Sequence, residues 1–229
     1  MKVKLIDHMG SDLSVVNAAR VSFNKESDWD YVYSEERASR GFLDVDCMVK
    51  QLSHADTKLI KYLAKHNHWT PFGHTAITLH FKAPIFVARQ LGKSQVGMVW
   101  NEVSRRYVSD TPEFYTPEVW RKAADNVKQG SSDEPINAEY NPAYLYSSML
   151  AAYHSALEYD VCPEQARMLL PQSMLTEWYW TGNLKSFANV YNLRTDSHTQ
   201  RETQEVAKQI GEVIGKLFPC SWSALTSRI

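Results

Sequence analysis

Cysteine and net charge are both scarce in this sequence, and each scarcity excludes a class of protein. Cys47, Cys162 and Cys220 are the only cysteines, and their odd number and spacing fit neither a disulfide framework nor a metal site. The net charge of -1 argues against a broad nucleic-acid-binding face. No apolar run is long enough to span a membrane, and the start of the chain lacks signal-peptide character. The sequence predicts a cytoplasmic protein with free thiols and neither membrane nor nucleic-acid partners.

The pattern of apolar residues predicts an α+β fold. Hydrophobic residues make up 44% of the 229 residues, which is enough to build a substantial core. Alternation predicts strands at residues 2–6 and 75–82. Helical spacing predicts helices at residues 12–20, 53–65, 84–92, 143–159, 163–180, 183–193 and 196–217. Residues 24–52 are interpreted as an irregular insertion and residues 128–142 as an exposed loop, within a single domain over residues 1–229.

The stretch RQLGKSQVGMVWNEVSRRY, residues 89–107, mixes cations, amides and hydroxyls into an apolar run. If its second half is extended, Glu102, Ser104 and Arg106 project to one face. A guanidinium and a hydroxyl on one face suit a phosphate, and Gln90 on the preceding helix adds an amide. The alternative is a solvated strand with an ordinary cross-strand ion pair.

Three histidines, His66, His68 and His74, surround a turn that contains proline and glycine. No cysteine or acidic residue stands at a characteristic zinc-ligand spacing from them. A polar or ring-stacking wall around a ligand is therefore favoured over a metal site, and hydrogen bonding in the core or at the surface is the simpler alternative.

The segment NVYNLRTDSHTQ repeats polar side chains along one predicted helix face. Asn189, Asn192 and Asp196 share that face, and Arg194 is spaced to pair with His198. These residues either cover a solvent-exposed side or line a cleft.

Two lone residues have simpler interpretations. Arg167 lies in the apolar segment QARMLLP, where a buried ion pair is the usual explanation. Cys220 follows Pro219 near the end of the chain and is interpreted as a packing residue, not as a nucleophile.

Four blocks of the sequence together resemble the flavin-dependent thymidylate synthases. In the order of that family, they are MGSDLSVVNAARVSF, HNHWTPFGHTAITLHFKAPIFVARQ, NEVSRRY and NLRTDSHTQ. The blocks extend over most of the chain and leave out mainly residues 24–52 and 122–142. The resemblance implies a mixed sheet with flanking helices, assembled as a homotetramer with active sites between subunits. It also implies that dUMP is methylated to dTMP with 5,10-methylenetetrahydrofolate as carbon donor and FAD, reduced by NADPH, as hydride source.

The resemblance also assigns residues to sites. It implies a dUMP site of Gln90, Leu91, Gly92, Lys93, Glu102, Val103, Ser104, Arg105, Arg106, Arg167 and Arg194. It implies FAD contacts at Thr70, Lys93, Ser94, Gln95, Glu102, Asn183, Leu184, Lys185 and Asn189. His68 matches a histidine near the flavin and folate rings, and Arg194 matches the arginine placed against the uracil, which makes it the catalytic candidate. No metal is implied.

One departure from the family is serious. The family signature begins with Arg-His-Arg, but Lys93, Ser94 and Gln95 occupy those places here. Because that triplet contacts FAD and nearby phosphates in the family, the change implies an altered flavin affinity or geometry. Two alternatives therefore stay open: C5 hydroxymethylation of a pyrimidine deoxynucleotide, and a nucleotide-binding relative that has lost FAD.

Overall fold

The computed structural model describes residues 1–33, 48–108, 110–125, 130–137 and 139–227. Its first elements are β1 (Lys2–Met9), α1 (Asp12–Arg20), β2 (Asp30–Tyr33), β3 (Met48–Gln51), α2 (His54–Lys65), α3 (Thr70–Gly73), β4 (Ala76–Pro84) and α4 (Ile85–Leu91). They are followed by β5 (Met98–Glu102), β6 (Arg121–Ala123), β7 (Ser131–Pro135), α5 (Leu145–Glu158), α6 (Pro163–Ala166), β8 (Leu175–Gly182), α7 (Leu184–Arg194), α8 (Arg201–Leu217) and α9 (Pro219–Thr226).

The main sheet has the strand order β1-β4-β8-β5, and every neighbouring pair in it is antiparallel. Alternate residues of the two central strands are buried, namely Ile77, Leu79 and Phe81 on β4 and Trp178 and Trp180 on β8. The rings of Phe81 and Trp178 stack with centroids 4.9 Å apart. The α+β class is confirmed, whereas the expectation of a mixed sheet is wrong for the described strands.

Helices pack against the buried face of this sheet. On α8, Val206, Ile210 and Ile214 recur at helical spacing and are fully buried. Gly211 allows α8 to approach α7 closely, because a Cβ at this position would lie 2.5 Å from Cε2 of Tyr191.

Two polar clusters fix the surrounding helices. The Asp12 carboxylate accepts hydrogen bonds from the backbone N–H groups of Cys220 and Ser221, both at 2.8 Å, so the start of α1 caps α9. At the C-terminal end of α1, Arg20 Nη2 lies 2.5 Å from Oδ1 of the buried Asp56 on α2.

The predicted helix over residues 163–180 is wrong beyond its first turns. Only Pro163–Ala166 is α-helical, a 3₁₀ turn follows at Arg167–Leu169, and β8 takes up the rest. Pro171 prevents the helix from continuing, and the alternating, aromatic-rich TEWYW pattern suits a strand paired on both sides.

Two segments interpreted as irregular contain strands. Within residues 24–52, β2 pairs with β3, and within residues 128–142, β7 pairs with β6. Both interpretations are wrong at these strands, because pairing with a neighbouring strand stabilises short segments that lack a periodic pattern of their own. The remaining parts of these predictions at residues 34–47, 128–129 and 138 lie outside the described residues.

The other predicted elements are confirmed at residues 2–6, 12–20, 53–65, 75–82, 84–92, 143–159 and 183–193, with small shifts of their ends. The last predicted helix begins at Arg201 and not at residue 196. A further helix, α9, was not predicted; Pro219 stands in its first turn, where a missing N–H costs nothing.

Cys162 and Cys220 are free thiols, as predicted, and Cys47 lies outside the described residues. Among the helices in the described ranges, none has the length and apolarity that crossing a membrane requires.

Candidate functional site

The segment NEVSRRY does not remain extended, so the prediction of alternating faces after Glu102 is wrong. β5 ends at Glu102, and the N–H of Tyr107 closes a turn by donating to the Ser104 carbonyl at 3.0 Å. The turn still places Arg106 beside Ser104, with Nε 3.3 Å from Oγ. Arg106 Nη1 also lies 3.5 Å from Glu164 Oε1. The two predicted phosphate ligands are thus neighbours, although a turn and not a pleat brings them together.

A cavity of about 520 Å³, the Arg194 cavity, is lined by Gln90, Lys93, Arg121, Gly130, Ser131, Arg194, His198, Thr199 and Gln200. Arg194 is the last residue of α7, and its Nη2 donates to the backbone carbonyl of Gln90 at 2.6 Å. Its Nε is buried and has no hydrogen-bond partner within the described chain. Burial lowers the pKa of the Arg194 guanidinium. The cavity is therefore lined by a partly desolvated cation, which suits a group that gains negative charge.

The other polar residues of this segment have different roles. The predicted pair of Arg194 and His198 is wrong, because Nδ1 of His198 instead lies 2.9 Å from Oδ1 of Asp196. Asn192 donates from Nδ2 to the Leu225 carbonyl at 2.9 Å and so joins α7 to α9.

A second cavity of about 690 Å³, the Glu102 cavity, is lined in part by Lys82, Arg89, Glu102, Val103, Arg105, Glu113, Arg167, Thr176 and Glu177. The Glu102 carboxylate accepts from Thr176 Oγ1 at 2.7 Å and from Trp100 Nε1 at 3.1 Å. Arg105 hydrogen-bonds the Asp110 carbonyl, and its side chain is 10% exposed. These contacts hold an anion and a cation in fixed positions in one cavity.

Arg167 lines the Glu102 cavity as an exposed residue and donates from Nε to the Glu164 carbonyl at 3.4 Å. Its interpretation as half of a buried ion pair is therefore wrong. The successive α4 residues Arg89 and Gln90 face different cavities, Arg89 the Glu102 cavity and Gln90 the Arg194 cavity.

A third cavity of about 780 Å³, the His68 cavity, is lined in part by Phe23, Tyr62, His68, Trp69 and Thr70. The rings of Tyr62 and His68 meet edge to face, with centroids 6.0 Å apart. Such a wall suits a planar ring more than a metal ion. Over the described ranges, no group of three or more His, Cys, Asp or Glu side chains is arranged to hold a metal.

The triplet that replaces Arg-His-Arg forms a tight turn after α4. The Ser94 N–H donates to the Leu91 carbonyl at 2.9 Å, and Gln95 Nε2 donates to the Gly92 carbonyl at 3.0 Å. Gln95 thus uses one donor to stabilise its own turn, while Lys93 lines the Arg194 cavity.

The start of α7 lies beside this turn. The Asn183 side chain caps α7 by accepting from the Ser186 N–H at 2.8 Å, and Ser186 Oγ donates to the Val96 carbonyl at 3.2 Å. Gly97 has φ +72°, and a Cβ there would lie 3.0 Å from Ser186 Oγ. Burial lowers the pKa of Lys185 in the first turn of α7. Two segments of the predicted FAD site therefore meet within one subunit.

The predicted site residues do not all converge in one subunit. Gln90, Lys93 and Arg194 line one cavity, Glu102, Val103, Arg105 and Arg167 line a second, and His68 and Thr70 line a third. The side chains of Leu91 and Leu184 are fully buried in the core, so only their backbones can contact a ligand. Asn189 is exposed on α7.

Sequence reasoning missed Arg121 and its neighbours. Arg121 lines the Arg194 cavity, and its Nη2 lies 2.8 Å from Oε1 of the buried Glu202. Gln200 accepts from Gln90 Nε2 at 2.5 Å. Arg121 belongs to none of the four family-like blocks and to no periodic pattern, so nothing in the sequence singles it out.

Comparison with known proteins identifies the family. The chain is 37% identical over 222 residues to a flavin-dependent thymidylate synthase of Thermotoga neapolitana, covering 97% of this chain and 89% of that relative. It is 33% identical over 229 residues to the Thermus thermophilus protein of the same description, covering 99% of this chain and 76% of that relative. Residues 4–220 match the family described as "Thymidylate synthase complementing protein". The chain belongs to this family, and the resemblance in the sequence is confirmed.

The fold is similar to that of a UMP/dUMP methylase, PolB from Streptomyces cacaoi. With 5-Br UMP bound to PolB, the TM-score is 0.78 at 27% identity, over 99% of this chain and 93% of that one. With 5-Br dUMP bound, the TM-score is 0.75 at 29% identity, over 99% of this chain and 94% of that one.

Proposed function

We propose that this protein is a flavin-dependent thymidylate synthase. It transfers a one-carbon unit from 5,10-methylenetetrahydrofolate to C5 of dUMP, with FAD, reduced by NADPH, as the source of hydride. Family membership and the similarity to a UMP/dUMP methylase support the reaction class. The observation that carries the assignment to this chain is Arg194, a partly buried guanidinium held by the Gln90 carbonyl in a cation-lined cavity.

Arg194 is the catalytic residue in this proposal. C5 of uracil becomes a nucleophile when the ring gains enolate character, with negative charge at its N3/O4 or O2 edge, and a partly desolvated guanidinium at that edge stabilises this charge as it develops. The Gln90 carbonyl fixes the orientation of Arg194 before substrate binds, so little reorganisation is needed. Cys220 takes no part: burial raises the pKa of its thiol, and it lines none of the three cavities.

The residues beside the Lys93 turn fit FAD. Lys93, Ser94 and Gln95 offer one cation and neutral donors, and Asn183, Lys185 and Asn189 add polar groups from α7. Because Gly97 has no side chain, space remains between the Lys93 turn and the start of α7, and a Cβ at this position would fill it. Such donors suit a phosphate-containing cofactor. When bound, reduced FAD supplies the hydride, and Thr70 and His68 contribute the ring-binding wall.

The remaining predicted residues bind the nucleotide. Ser104 and Arg106 offer a hydroxyl and a guanidinium to the dUMP phosphate, and Arg105 and Arg167 add positive charge nearby. Glu102 is oriented by Thr176 and Trp100, so its carboxylate can accept a hydrogen bond from substrate or flavin.

The active assembly is proposed to be a homotetramer with sites between subunits. One subunit divides the assigned residues among three cavities, and juxtaposed subunits can bring them together. Each subunit is proposed to be one domain over residues 1–229, supported by a hydrophobic cluster that joins buried residues between Val3 and Leu91 to buried residues between Trp178 and Leu225. Because its substrates are cytoplasmic metabolites, we place the protein in the cytoplasm.

Incubation with dUMP, methylenetetrahydrofolate and NADPH tests the proposed function. The expected product is dTMP, identified by mass, with flavin absorbance in the purified protein. A hydroxymethylated product would contradict the hydride step, and a colourless protein that binds dUMP without turnover would contradict catalysis.

A further inference from the structure

We infer that Arg121 is a ligand-binding residue of the Arg194 cavity, held in place by Glu202, and that it contacts an anionic group of the bound nucleotide. This inference rests on the proposed function and extends it to a residue outside the family-like blocks. Arg121 opens β6, whereas Glu202 lies in the first turn of α8.

The contacts of Arg121 fix its guanidinium and leave donors available. Its Nε donates to Ser131 Oγ at 2.7 Å, and its Nη2 donates to Glu202 Oε1 at 2.8 Å. Its Nη1 makes no hydrogen bond to the described part of the chain. The Arg121 side chain is 17% exposed and lines the Arg194 cavity as well as two neighbouring pockets, so its remaining donors are available to a ligand.

The charges around the cavity favour an anion. Lys93, Arg121 and Arg194 line it together, and no carboxylate is among the described lining residues. Glu202 is 4% exposed and touches Arg121 from outside this lining. Its Oε2 is buried without a hydrogen-bond partner in the described ranges, so Glu202 places an incompletely paired carboxylate behind Arg121.

Arg121 also offsets the altered triplet. The family signature brings two arginines and a histidine, whereas Lys93 is the one cation left at those places. A second guanidinium from β6 restores a fork that can bind a phosphate or a deprotonated imide with two hydrogen bonds.

Nucleotide binding tests the inference, with dUMP and deoxyuridine titrated into the FAD-loaded protein and FAD titrated into protein freed of flavin. We expect Arg121→Gln to weaken dUMP, FAD or both by about tenfold or more, since a hydrogen bond to a charged group is lost. Titration with dUMP, deoxyuridine and FAD identifies the anionic group that Arg121 contacts. Weaker binding of dUMP with unchanged binding of deoxyuridine indicates the dUMP phosphate, and equally weaker binding of both indicates the uracil imide. Weaker binding of FAD indicates the FAD pyrophosphate.

Glu202→Gln separates binding from structure. It keeps the shape of the pair and removes a negative charge, so anion binding should be unchanged or tighter even if the protein is less stable. The double variant Arg121→Gln/Glu202→Gln avoids an unpaired buried charge and should still bind about tenfold more weakly. Two other cations serve as controls. Lys122 lies on the same strand as Arg121 and pairs with Glu134, and Arg201 pairs with Asp133 outside this cavity.

Lys122→Gln and Arg201→Gln should bind both nucleotides as the wild type does. If the wild type forms dTMP while Arg121→Gln and the double variant bind both nucleotides within twofold of wild type, the inference is wrong and the proposed function stands. If the wild type forms no dTMP, the proposed function itself fails.

Discussion

Among single residues, Arg194 offers the most direct test of the proposed mechanism, because its substitution should affect catalysis and dUMP binding to different extents. We expect Arg194→Ala to lower kcat by about 10²–10³-fold, the usual effect of losing one donor to a developing oxyanion. The dissociation constant of dUMP should change much less, since the charge appears mainly in the transition state. Steady-state kinetics and dUMP titration measure the two effects.

Lys208→Ala, which removes an exposed cation from α8, is the control for Arg194→Ala and should leave both constants unchanged. An unchanged kcat with a raised KM in Arg194→Ala would show that Arg194 only holds the substrate.

Restoring the family triplet should tighten FAD. Lys93→Arg, Ser94→His and Gln95→Arg together replace one point charge and two neutral groups by two guanidinium groups and an imidazole, which should strengthen binding by about tenfold or more. The gain should shrink as salt rises, because exposed charges are screened. FAD dissociation constants at two salt concentrations measure both effects.

The conservative change Lys122→Arg, remote from the triplet turn in sequence, should leave FAD affinity as it is. Unchanged or weaker FAD binding in the restored protein would mean that the pocket has adapted to Lys-Ser-Gln, with Gln95 retained for its bond to Gly92.

At this scale, the family resemblance, carried by blocks in a fixed order, pointed to Arg194, and the sequence placed Ser104 close to Arg106; their roles stay predictions. The sequence alone could not predict Arg121 as a residue of this cavity. It enters the cavity through the pairing of β6 with β7 and through an ion pair to a residue 81 positions away, and neither contact leaves a local pattern.

Among the elements, the helices with amphipathic spacing were predicted well, whereas the strands depended on partners. β4 shows alternation because one of its faces is buried, whereas β1 alternates in sequence although Val3 is its only buried residue. β8 carries Trp178 and Trp180 on its buried face. The apolar residues before β8 continue the helical spacing of the preceding segment, so the sequence does not reveal where the strand begins. The antiparallel order follows from pairings between distant segments, which local patterns do not encode.

The junction of α1 and α2 should make stability depend on pH. Burial by itself would raise the pKa of Asp56, but hydrogen bonds from Ser53, Arg20 and Ser27 together hold it below its ordinary value of 3.8. A folded pKa below the unfolded one stabilises the protein above the unfolded pKa, and this contribution is lost as pH falls through the folded pKa. Asp56→Asn should therefore destabilise the protein by about 3–5 kcal/mol at neutral pH.

Urea unfolding across pH measures this effect, and the difference from wild type should narrow below about pH 4. Asp28→Asn, at an exposed position, should change little. A difference between Asp56→Asn and wild type that is independent of pH would contradict the assignment.

The crossing of α7 and α8 provides a second element-scale prediction. Glycine in a helix interior normally costs about 1 kcal/mol relative to alanine, so Gly211→Ala would be expected to stabilise an isolated helix. Here the new Cβ would lie 2.5 Å from the Tyr191 ring, and overpacking typically costs about 1–3 kcal/mol. We expect a net loss of about 1 kcal/mol or more in thermal or urea unfolding.

Gly215→Ala, one turn further along α8, is the matched control. Its nearest contact would be 3.3 Å, to Trp222 Cδ1, so its cost should be smaller. Equal effects of the two substitutions would contradict a specific contact with Tyr191.

At the scale of the whole molecule, the proposed sites between subunits predict complementation. Arg106→Ala and Arg194→Ala proteins should each be nearly inactive, but in the proposed tetramer, hybrids formed by subunit exchange would contain some sites with both arginines intact. Recovered activity in the mixture, with labelled subunits to prove exchange, is the expected result. Mixing two batches of Arg194→Ala protein should recover nothing, and no recovery in the mixed variants despite proven exchange would place both arginines in the same subunit's site.

The position of α4 between two cavities has a thermodynamic consequence for the assembled molecule. Arg89 and Gln90 are consecutive on one short helix, so a ligand that displaces α4 on filling one cavity also changes the shape of the other. Any such change in affinity is reciprocal, because the coupling free energy between two bound ligands belongs to both. An affinity measured for one nucleotide is then defined only when the occupancy of the other cavity is stated.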